Sequence, residues 1–167
     1  MPVSWGSKFL IAFIGIIFGI IAAMLYVMNF IIVWILKPTY AETNDHYTIM
    51  GVGTFIVIFV AFILAMLVGI LAVRLNKYSI ASFDEFFGAA ALGGLFFGLV
   101  GCGIQLVQDF FFYGEMFTHT GTFRPSPYYT DFHALFDVAL IIVYIALALL
   151  GAAIYARISR GMKFSRT

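Results

Sequence analysis

From Phe9 to Leu36 the chain runs for 28 residues without a single charged side chain. Three further stretches behave alike. Ile49–Leu75 is uncharged until Arg74, Phe86–Gln108 carries no charge, and Phe132–Ala156 is interrupted by Asp137 alone. About 20 apolar residues in a helix suffice to cross ~30 Å of hydrocarbon. A backbone in lipid must satisfy its own hydrogen bonds, which a helix does within one segment. The expected fold class is therefore an all-α integral membrane protein. A four-transmembrane-helix bundle is expected as a single domain over 1–167, with helices at 9–36, 49–75, 86–108 and 132–156.

Composition supports the assignment and removes alternatives. Of the 167 residues 63% are hydrophobic and 10% charged, against roughly 45–50% and about 25% in soluble domains. A net charge of +1 is too balanced for a nucleic-acid binder. With one cysteine, neither an intramolecular disulfide nor a cysteine-built zinc cage is available. The first apolar run has a lysine before it, as a secretory signal would. It is far longer than the roughly 7–15 residues of a signal's apolar core, and no small-residue cleavage site follows. It is expected to remain as an uncleaved helix, tilted or reaching past the headgroups.

Positive charges set the expected orientation. Lys8, Arg74, Lys77, Arg157, Arg160, Lys163 and Arg166 fall on one side, and only Lys37 and Arg124 on the other. Seven against two places both termini and the 76–82 loop in the cytoplasm, with the plasma (inner) membrane as the expected location. Trp5 and Tyr78 inside, and Trp34, Tyr40, Tyr47, Tyr113, Tyr128 and Tyr129 outside, suit the two interfaces. Ser82 and Glu85 read as a capping box opening the third helix, the alternative being a solvated loop. A faint likeness links Leu64–Leu75 (LAMLVGILAVRL) to Leu147–Ile158 (LALLGAAIYARI). Chance likeness between apolar helices explains it better than an old duplication of two hairpins.

Helices in lipid associate through close packing and polar contacts, so small residues at helical spacing mark buried faces. These are Gly15, Gly19 and Ala22 in the first helix; Ala61, Ala65, Gly69 and Ala72 in the second; Gly94, Gly98 and Gly101 in the third; and Ala148 and Gly151 in the fourth. Each face continues outward into polar residues: Tyr26 and Asn29, Thr54, Gln105 and Gln108, and Tyr144, Asp137 and His133. A bundle packed tightly at its cytoplasmic half is expected, with an outward-facing pocket whose candidate lining is Asn29, Gln105, His133, Asp137 and Tyr144. Interhelical hydrogen bonding is the alternative for Asn29 and Gln105, and contact with headgroups or water for Gln108 and His133.

Asp137 is the one charge deep enough to carry an energetic penalty. His133 lies one turn before it on the same face, which suits a proton or cation site, or a histidine oriented by a carboxylate. A carboxylate near the positive end of its own helix is the structural alternative. His46, His119 and His133 share the outer side but show no ligand-spacing motif, so no metal is assigned. The outer loop from Asp109 to Asp131 holds Phe110, Phe111, Phe112, Tyr113, Phe117, Phe123, Tyr128 and Tyr129 around Pro125-Ser126-Pro127. So many aromatics are expected to lie in the interface, dock on a partner, or cover the pocket.

No nucleophile elbow, phosphate loop or HExxH motif occurs, and Cys102 stands alone among glycines. The expected function is that of a non-catalytic small subunit of a larger membrane protein complex. Its partners would be the lipid bilayer and other membrane subunits or further copies of itself, with no nucleic acid. The alternatives are a small oligomeric transporter or channel using Asp137, and a binder of a quinone or lipid-like molecule in the outer pocket. The layout is similar to the tetraspan plan in topology alone, without the disulfide-forming cysteines of tetraspan outer loops. Four spans also suit V-type proteolipid subunits, whose acidic residue lies mid-helix, whereas Asp137 is near an end.

Overall fold

A computed structural model describes residues 5–40, 45–75, 83–116 and 131–164. Toward the helix ends several side chains lie outside that description, those of Gln105, Gln108, His133 and Asp137 among them. The described chain is four helices: α1 (Trp5–Tyr40), α2 (Asp45–Leu75), α3 (Phe83–Met116) and α4 (Asp131–Phe164). Each holds a stretch long and apolar enough to span a membrane: Trp5–Asn29, Val52–Leu75, Phe87–Ile104 and Val138–Ser159.

The helices outrun the apolar segments that define them. Their 31 to 36 residues correspond to roughly 46–54 Å at ~1.5 Å per residue, well beyond a ~30 Å core. One expectation is corrected here, because α3 continues through Asp109 to Met116. The first third of the expected outer loop is therefore helical. Hydropathy reports where lipid contact ends, while the helix ends only where its hydrogen-bond ladder stops, and water does not oblige a helix to stop. The remainder of that loop and Ser82, the expected cap before α3, lie outside the described residues.

Neighbouring helices are identified by what an added Cβ would strike at each glycine. At Gly15 it would meet the backbone of Gly93, and at Gly19 the carbonyl oxygen of Phe97 at 2.7 Å. Both numbers rise together, so α1 and α3 run parallel. At Gly69 it would meet the backbone of Ala148 and the nitrogen of Ala152, and at Gly151 the backbone of Met66. With Phe62 against Tyr144 nearer the start of both helices, the pairings rise together and α2 runs parallel to α4. Gly98 faces Ile141 and Gly94 faces Ile145, an antiparallel register between α3 and α4. Around the bundle the order is α1, α3, α4, α2, closed by α1 on α2. α2 and α3 also touch across the middle, whereas among the described residues α1 and α4 do not meet.

The core follows from these seams. Ala65, Ala72, Ala89, Ala90, Ala148 and Phe97 are wholly buried, together with Ile11 and Val68. Gly93 fits beneath Val68 and Ile11, its Cβ position 2.5 Å from a Val68 methyl. Opposite faces present Phe9, Phe13, Ile17, Phe55, Phe59, Ile63, Ile142 and Ile154 outward. In lipid those faces cost nothing to expose, so dispersion contact along the Gly and Ala seams holds the helices together.

Candidate functional site

Halfway along the bundle the seams part. A partly open cleft of about 20 Å³ is lined by all four helices, and roughly 10–15 Å³ is enough to hold a water. Ala22, Ala23 and Tyr26 line it from α1, Val57, Ile58 and Ala61 from α2, Phe97 and Gly101 from α3, and Tyr144 from α4. Phe97 and Tyr144 form its floor, their rings packed edge to face at 4.8 Å between centroids. Phe62 adds a second edge contact to Tyr144 at 6.0 Å. Such aromatic pairs contribute about 0.5–1.5 kcal/mol beyond their contact area.

One turn beyond Tyr26, toward the Tyr40 end of α1, Asn29 meets α2. Its Nδ2 donates to the Thr54 hydroxyl at 3.4 Å, and its Oδ1 lies against the Cα of Gly53, where any Cβ would displace it. A branched or even a methyl side chain at 53 would push this amide off α2. Of the expected pocket residues, Asn29 is therefore engaged with α2, and Tyr144 is buried beneath the cleft. Gln105 lies one turn beyond Gly101 along α3, and Asp137 two turns from Tyr144 along α4, but their side chains are not described. The same holds for Gln108, His133, His46 and His119.

The expected packing glycines are all placed. Gly15, Gly19, Gly69, Gly94, Gly98 and Gly151 are buried, and an added Cβ at each would come within 3.0 Å of a neighbouring helix. Ala61 and Ala65 are buried too. Gly101 differs, because its nearest foreign atom is the Gly19 carbonyl oxygen at 3.7 Å, an ordinary contact.

Sequence reasoning passed over Gly53, Gly93 and Phe97. Gly93 was legible as half of a Gly-Gly pair, and Gly53 as a glycine beside the polar Thr54. Phe97 gives no signal, because α3 is apolar on both its packed and its lipid-facing sides. Among the described residues, no three His, Cys, Asp or Glu side chains gather to hold a metal ion. Cys102 is a buried thiol outside any disulfide.

Fold and site together define a multi-pass helical bundle of the integral membrane class. Compared with known families, with curated proteins and with solved structures, the chain matches none.

Proposed function

We propose that this protein is a small non-catalytic subunit of a larger membrane protein complex, supplying helix surface and an outer aromatic loop for contact. The observation that carries the reading is the filled interior. Through the described middle and basic end of the bundle, Gly and Ala seams bring backbones together, and the central cleft is far below the roughly 300–1,000 Å³ of a small-molecule pocket. What the chain offers instead is surface. In this reading the small-xxx-small seams make a rigid scaffold, both termini face the cytoplasm on the strength of seven basic residues against two, and the chain resides in the plasma membrane.

Mild-detergent extraction from the native membrane, followed by sizing and mass spectrometry, tests it. Stoichiometric partner proteins are the expected result. A protein that travels alone, or only with copies of itself, overturns the reading.

A further inference from the structure

We propose that the central cleft is a hydration site, reached from the end of the bundle where α1 finishes and α2 begins, whose innermost water is held between Tyr26 and Tyr144. This stands apart from the subunit reading and is tested separately.

Three observations converge on it. The first is direction. Away from that end the bundle is sealed, with Gly15 on the backbone of Gly93, Gly69 on Ala148 and Gly151 on Met66, and with Val68 and Phe97 wholly buried. Toward that end Tyr144 is buried, and Tyr26, Asn29 and Thr54 are partly exposed. Among the described residues the basic end offers water no way in.

The second is chemistry. Two phenol side chains border a space of water size in the middle of otherwise apolar helices. A hydroxyl carries one donor and two acceptor positions, so each tyrosine can bind water in addition to any protein partner. The Asn29 amide and the Thr54 hydroxyl stand one turn further along, and they provide the next polar step on the way out.

The third is Gly101. At Gly15, Gly19, Gly69 and Gly151 a Cβ would strike backbone; at Gly101 it would meet only ordinary contact 3.7 Å away. Packing does not require glycine there. Gly101 borders the cleft, and a methyl group at that position would occupy part of its small volume. The glycine keeps the space open.

Water-edited solid-state NMR on the protein in liposomes measures this directly. Ring signals of Tyr26 and Tyr144 are expected to gain magnetisation from water several-fold faster than the methyls of Val68, which is wholly buried, and of Ile63, which faces lipid. Gly101→Ala should slow the transfer to Tyr144 toward the Val68 rate while the helical spectrum stays unchanged, and leave Asn29 hydrated. Should the tyrosines of the unaltered protein gain magnetisation no faster than Val68, the cleft is dry and the proposal is overturned. Equal transfer in the unaltered protein and a folded Gly101→Ala variant overturns it as well, because the water would then lie elsewhere.

Discussion

At the scale of single residues, the glycines divide by what surrounds them. A methyl at Gly69 would be driven into the backbone of Ala148, and one at Gly15 into that of Gly93. Backbone cannot rotate away as a side chain tip can, so the helices must separate. Overpacking of this kind costs about 1–3 kcal/mol, and Gly69→Ala and Gly15→Ala are expected at the upper end of that range. Gly88 and Gly103 have no foreign atom within 4 Å, so alanine at either should fall within about 0.5 kcal/mol of the unaltered protein. Reversible unfolding in mixed micelles reads both pairs. Equal losses at all four positions would mean that the seams are not where the stability resides. Phe97 poses the converse question, since truncation leaves a hole against Tyr144. In water Phe→Ala costs about 3–5 kcal/mol, part of it for transfer to solvent. Lipid removes that part, so Phe97→Ala is expected near the lower figure, about 3 kcal/mol.

Between elements, polar contacts decide register where small residues decide distance. Asn29 and Thr54 join α1 to α2 through one hydrogen bond across the bundle's more open half. Bonds of this kind inside membranes average about 0.6 kcal/mol by double-mutant cycle, because the separated helices also find partners. Asn29→Val and Thr54→Val should therefore show a coupling of about 0.6 kcal/mol, and additive losses would show that the two side chains act independently. The existence of four helices was legible because lipid leaves little choice of secondary structure. Their pairing was not. A helix that is apolar on every face, as α2 is along Phe55–Leu71, gives no amphipathic stripe to say which side meets a neighbour. Small residues at helical spacing carry part of that information, whereas Phe97, apolar among apolar neighbours, carries none. The likeness between Leu64–Leu75 and Leu147–Ile158 also gains a physical account. These segments lie side by side and parallel, through Gly69 on Ala148 and Gly151 on Met66, and close parallel packing calls for small residues on both. Two hairpins related by a twofold axis would bring α1 against α4 as α2 meets α3. Among the described residues only the second contact exists.

For the whole molecule the open question is direction, and the charges argue it. The helix directions gather Lys8, at the start of α1, Arg74, in the last turn of α2, and Arg157, near the end of α4, at one end of the bundle. Lys8 sits over the Trp5 ring at 5.6 Å, a pairing suited to the headgroup layer, where an aromatic ring and a cation both lie comfortably. Arg74 and Arg157 are exposed and can extend their stems along the lipid while their charges reach water. Arg160 and Lys163 lie further along α4, and Lys77 and Arg166 follow α2 and α4 in sequence, which makes seven basic residues against two. A bias of that size predicts that the basic end stays in the cytoplasm during insertion. Tags at residues 1 and 167 should therefore resist protease added outside intact cells and be cleaved once the membrane is opened. Replacing Arg74, Arg157, Arg160 and Lys163 by Gln removes four of the seven and leaves three against two. That variant should insert in both orientations, with part of its tagged population now cleaved from outside. If the unaltered tags are digested in intact cells, the orientation is inverted. The Asn29–Thr54 half of the bundle, with its route to the central cleft, would then open toward the cytoplasm.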